Sequence, residues 1–113
     1  MSDKFQTITK ELSSQLAKMH KDMPEVMAGF SALGKAATKD GVLDKKAKEL
    51  IAISLAVANH CPACIGFHVQ TLIKLGTSRE ELQEAMGMAV YMGGGPSLMY
   101  AAEALNAYDE FNH

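Results

Sequence analysis

Apolar residues return at intervals of three and four along most of this chain, and no stretch alternates with a period of two. An α-helix turns about every 3.6 residues, so that spacing gathers them on one helical face and leaves no half-buried strand from which to build a sheet. Phe5, Ile8, Leu12, Leu16 and Met19 trace a first helix through about His20. Val26, Met27, Phe30, Leu33 and Ala37 trace a second, and "LIAISLAVA", residues 50–58, is apolar on nearly all sides of a third.

Start and stop signals divide the pattern into six helices with short connections. Asp22 and Glu25, with Pro24 between them, read as the start of the second helix. Asp44 is placed to cap the third. Pro62 suits the first turn of a fourth, which runs to Leu75 and stops at Gly76. Ser78 and Glu81 form a capping box for a fifth that carries Leu82, Ala85, Met86, Ala89 and Val90. "GGGP", residues 93–96, reads as a break before a last helix from about Ser97 to Asn106 or beyond. The expectation is an all-α bundle in which the third and fourth helices form a central antiparallel hairpin.

The length of 113 residues holds one domain, 1–113, with a core that is marginal for a chain standing alone. Helices three, five and six are rich in small residues, and their apolar faces exceed what a thin monomer covers, so a homo-oligomer is expected. The eight methionines read as adaptable core filler. A net charge of −2 supplies no field for nucleic acid, and no run of 18 apolar residues exists to span a membrane. The polar opening, "MSDKFQTITKEL", reads as neither signal peptide nor anchor, which points to the cytoplasm. In that reducing compartment a close cysteine pair speaks for catalysis or metal binding rather than a permanent staple.

Both cysteines lie in "ANHCPACIGFH", residues 58–68. A fourth helix opening at Pro62 places Cys61 near the N-cap and Cys64 in the first turn. Side chains three apart on a helix stand about 5–6 Å from each other, close to disulfide range. The free amides at a helix start favour thiolate over thiol. His68, four residues beyond Cys64, occupies the same face and can take its proton or hold its thiolate. Glu49 lies ten residues before Asn59 and His68 seven after Cys61, or about 15 and 10 Å of helix. An antiparallel hairpin lands them within a turn of each other, so Glu49 can orient His68 in a Glu–His–Cys relay.

Other readings of the same residues stay open at this point. The cysteines could be an inert buried pair. His60, Cys61, Cys64 and His68 could clamp zinc, although adjacent residues rarely converge on one tetrahedral ion. Glu49 could be an exposed first-turn carboxylate. Tyr91 and Tyr100 could line a pocket, with core packing the simpler expectation. His20 and His113 read as incidental, and "GGGP" lacks the lysine and preceding strand of a phosphate loop.

The series Glu49, eleven residues, Cys61, two residues, Cys64, three residues, His68 resembles the signature of the alkylhydroperoxidase D-like (AhpD-like) branch of the carboxymuconolactone decarboxylase family. The likeness runs continuously from Lys48 to Pro96 and more loosely from about Met23 to Leu105. It implies an all-helical fold assembled as trimers, or as hexamers built from dimers. It also implies cysteine-based reduction of hydroperoxides: Cys64 attacks, Cys61 resolves, and His68 with Glu49 relays protons. No bound cofactor is required. The oxidised pair would be returned by an external dithiol, on a lipoylated or thioredoxin-like protein. The best-known peroxidase of the family carries a further histidine just before the second cysteine. Ala63 stands there in this chain, and His60, beside Cys61, is the nearest substitute. Muconolactone decarboxylation, the activity behind the family name, and a non-catalytic redox sensor are the alternatives; the CxxC pair speaks against the first.

Overall fold

The computed structural model describes residues 3–112, so His113 lies outside the described residues. The chain folds into six α-helices: α1 (Lys4–Asp22), α2 (Pro24–Thr38), α3 (Lys45–Ala58), α4 (Pro62–Lys74), α5 (Arg79–Gly93) and α6 (Gly95–Phe111). Among the described residues there is no strand. α3 and α4 form the expected antiparallel hairpin, with α5 and α6 packed against it and the first turns of α1 laid across α4.

The core joins Phe5 of α1 with Ile53 and Val57 of α3, Ile65, Val69 and Leu72 of α4, and Leu82 of α5, all fully buried. Removing each such side chain from water contributes about 1.5–3 kcal/mol. On α6, Ala101, Ala104 and Ala107 recur at three and present a narrow buried face. Gly66 explains how α1 comes so close to α4: a Cβ there would stand 2.7 Å from the Thr9 methyl group.

The local signals act mostly as read. The Asp44 carboxylate accepts from the Ala47 amide at 2.8 Å. Ser78 and Glu81 exchange both bonds of the capping box, at 3.1 and 2.9 Å. Two boundaries differ. Asp22 does not begin α2; it is the last residue of α1, and Met23 alone separates the helices at φ −135°. The proline that follows disfavours helical backbone at Met23, so the break falls there without any side-chain cap. At "GGGP" only Gly94, at φ +73°, interrupts the helices. Gly95 and Pro96 already belong to the first turn of α6, where proline's missing N–H is harmless, and the helix continues to Phe111.

The apolar inventory departs further from expectation. Met86 is buried, but Met88, Met92 and Met99 are all more than half exposed, so core filling does not account for them. Met88 and Met92 line an open groove with Leu55 of α3, and Met99 lines a cleft beside Pro62 of α4. Tyr91 is 78% exposed and packs in no core. α2 buries none of its residues, leaving Val26, Phe30 and Leu33 in the open. Ile51 and Leu55 likewise leave one side of α3 uncovered.

One tertiary cap had no sequence signal. Asp3 supplies no side-chain bond to the start of α1. Instead Glu110, buried near the end of α6, accepts from the Gln6 amide at 2.6 Å. A carboxylate at a helix start is favoured by the dipole and the free amides, wherever in the chain it comes from.

Candidate active site

The site forms where α3 turns into α4. The amide of His60 donates to Val57 O at 3.1 Å and that of Cys61 to Ala56 O at 3.0 Å. These paired bonds close a Schellman turn, which needs a left-handed residue just past the helix. His60 takes that position with φ +54°, and among the described residues it is the sole non-glycine with positive φ. The next residue, Cys61, is at once the end of this turn and the N-cap of α4. Its carbonyl accepts from the Ile65 amide at 2.9 Å. Its sulfur accepts from the Cys64 amide at 3.2 Å.

Cys61 and Cys64 are joined as a disulfide, with Cα atoms 5.3 Å apart. Both are half-buried, as are Pro62 and the intervening Ala63. The N-cap geometry also serves the reduced pair, since an amide that reaches a neutral sulfur holds a thiolate more strongly.

The hairpin brings Glu49 and His68 into contact, with Nδ1 of His68 2.6 Å from Oε2 of Glu49. Glu49 is 4% exposed, so it is not the solvated first-turn carboxylate of the simpler reading. An ionised carboxylate only accepts, so Nδ1 of a neutral His68 carries the proton and Nε2 keeps a lone pair. The His68 side chain is about one third exposed, so that ring can exchange protons with what enters. Cys64 and His68 sit four apart on α4, one turn from each other on the same face. Four groups from two helices therefore gather around one helix start: a buried carboxylate, an oriented imidazole and two sulfurs.

His60 takes another direction. Its ring stacks on Tyr100 of α6, with centroids 4.6 Å apart and planes 4° from parallel. Tyr100 in turn lines a cleft of about 400 Å³ beside the cysteines, together with Lys4, Pro62, Met99 and Glu103. Lys4 and Glu103 pair across it. Tyr100 thus meets both tyrosine readings: it lines the cleft and packs, half-buried, against the core. Its contact with His60 had no sequence signal, because forty residues separate the two rings. Among the described residues no group of three or more His, Cys, Asp or Glu side chains is arranged to hold a metal ion. No helix among them is long and apolar enough to cross a membrane.

Residues 24–107 match the carboxymuconolactone decarboxylase family. An uncharacterized protein of Cupriavidus necator is 38% identical over 112 residues, covering 99% of each chain. An alkyl hydroperoxide reductase AhpD of Mycolicibacterium paratuberculosis is 33% identical over 63 residues, 56% of this chain and 35% of that one. The crystal structure of an apo-form carboxymuconolactone decarboxylase family protein from Legionella pneumophila superposes with a TM-score of 0.98 at 70% identity, covering 99% of this chain and all of that one.

Proposed function

The chain belongs to the carboxymuconolactone decarboxylase family, and from that premise we propose that it is a cysteine-based peroxidase of the AhpD-like kind. The observation that carries this reading is the buried Glu49 bonded to His68 one turn from Cys64. A structural cysteine pair has no use for an imidazole whose tautomer is held by a buried carboxylate. A reaction that moves protons at sulfur does.

The reaction runs in three balanced steps. His68 Nε2 takes the Cys64 proton, and the thiolate attacks the outer oxygen of a hydroperoxide. The O–O bond breaks, Cys64 becomes a sulfenic acid, and the leaving alkoxide recovers the proton from His68 as the alcohol. Cys61 then attacks the Cys64 sulfur, forming the disulfide and releasing water. An external dithiol, on a lipoylated or thioredoxin-like protein, takes the oxidation in turn and restores two thiols. The cysteines carry the electrons, so no cofactor enters any step. With Ala63 between the cysteines and His60 stacked on Tyr100, His68 is the imidazole assigned to proton transfer. We place the reaction in the cytoplasm, where dithiol donors are kept reduced.

We also propose that the working form is a homo-oligomer, a trimer or hexamer. The apolar face of α2 and the groove lined by Leu55, Met88 and Met92 are the surfaces available to cover each other.

A thiol count before and after one equivalent of hydroperoxide, with zinc assayed on the same sample, tests the reading. Loss of two thiols per chain without metal is the expected result. No loss of thiols, or one tightly held zinc per chain, overturns it. Cys61→Ser should leave a sulfenic or over-oxidised Cys64, seen as added oxygen by mass; an unmodified thiol contradicts the assigned order of attack.

A further inference from the structure

We propose that His60 and Tyr100 are a positioning pair that holds Cys61 where the Cys64 amide supports its thiolate, and so sets the balance between dithiol and disulfide. The proposal rests on the cysteines being a working redox pair, as above.

The starting observation is a histidine in a place made for glycine. A left-handed C′ residue carries a steric penalty for every residue with a Cβ, and glycine avoids it. The same turn recurs at the end of α4, where Gly76 donates to Ile73 O and Thr77 to Leu72 O, each at 3.0 Å. There the residue is glycine, at φ +77°. A cap alone therefore explains the backbone at residue 60 but not the histidine. What the histidine adds is its ring, laid flat on Tyr100. That stack ties the α3–α4 turn to α6.

The consequence falls on the next residue. Cys61 has its amide, carbonyl and sulfur each engaged, to Ala56, Ile65 and Cys64 in turn. These bonds keep their geometry only while the backbone at His60 holds the turn. A turn free to shift would carry the Cys61 sulfur away from the Cys64 amide. That amide matters most once the disulfide is opened. In exchange with an external dithiol, the S–S bond breaks, the donor's two sulfurs join, and its two protons pass to the medium and the departing thiols. A Cys61 thiolate formed in that step keeps the Cys64 N–H as a charge-assisted bond, stronger than the same bond to a neutral sulfur. The positioning pair therefore favours the dithiol state. The other ionisable groups near the pair are Glu49 and His68 of the hairpin and Lys4 and Glu103 at the cleft, and the variants below leave all four in place.

His60→Gly removes the ring from a turn that glycine accepts, and Tyr100→Leu removes the stacking partner while leaving the turn unchanged. Tyr100→Phe keeps the ring and serves as the conservative control. Each protein is equilibrated with glutathione buffers and the disulfide fraction is read by alkylation and mass. The reduced proteins are then alkylated across a pH series. Both His60→Gly and Tyr100→Leu should shift the equilibrium towards disulfide by roughly two- to twelve-fold, the usual worth of an aromatic pair. Both should move the midpoint of cysteine alkylation to higher pH, while Tyr100→Phe matches the wild type. An unchanged equilibrium and pH profile in either ring-deleting variant overturns the proposal and leaves His60 a plain helix cap. Neither measurement involves a hydroperoxide, so a failure of the peroxidase reading shows separately in the thiol count.

Discussion

Helix α4 is entered and left through the same backbone turn, and the two copies serve opposite ends. At the exit, glycine fills the left-handed position, Tyr108 donates to Thr77 O at 2.9 Å, and Ser78 starts α5 with a full capping box. Every side chain there that bonds does so to close the fold. At the entrance, histidine fills the same position, a sulfur replaces the hydroxyl as N-cap, and the residues remain half-exposed or open to solvent. Conformational cost is accepted there, and both sulfurs stay half-buried. A non-glycine residue in the left-handed position at one copy of a motif, against glycine at the other, is the contrast that the proposed function draws on.

The widest gap between the two turns should appear on the reactive sulfur. Cys64→Ser is expected to abolish hydroperoxide-dependent thiol oxidation while the melting curve stays close to wild type; retained turnover would assign attack elsewhere. Next is the carboxylate behind the imidazole. Glu49→Gln keeps size and burial but loses the charge that orients His68, and turnover should fall about 100-fold or more, within the usual worth of a general base. A variant that turns over normally would remove Glu49 from the relay.

At the other turn the same kind of change should register as stability alone. Gly76→Ala meets no neighbouring atom, so only the left-handed backbone opposes it, and the loss should be about 1–2 kcal/mol in denaturant unfolding. The glutathione equilibrium of the cysteines should not move; if it did, the two turns would not be separate in function. The smallest effect concerns Glu81, whose carboxyl is held below its ordinary range by the Lys46 ammonium and by the Ser78 amide. A lowered carboxyl contributes stability above its unfolded value, about pH 4.3, and loses it as pH falls through the folded value. The melting difference between wild type and Glu81→Gln should therefore be present at pH 6 and shrink below about pH 4. Because the pair is exposed, the difference should also fade in high salt.

Much of this molecule was legible along the chain, and what was legible is local chemistry. Helical periodicity, the Asp44 cap, the Ser78–Glu81 box and the Gly76 stop each involve residues within one or two turns of each other. So do the helix-start cysteines and the register of His68 with Cys64. The approach of Glu49 to His68 was the longest step sequence could support, and it worked because a linker of three residues between helices leaves the chain little choice but to fold back. Beyond that reach, prediction failed in specific ways. Met88, Met92, Met99 and Tyr91 were expected in a core they do not enter, because apolar character says that a residue can be buried but not which face of its helix is turned inward. Tyr100 against His60 and Glu110 against Gln6 join residues 40 and 104 positions apart, and both depend on how α6 lies over the start of α4 and α1. That placement is decided by close packing: the alanine face of α6 seats it in the core, and the bare backbone of Gly66 lets α1 close on α4. Spacing along one chain names the groups and their local order; only the crossing and rotation of packed helices settles which distant groups meet.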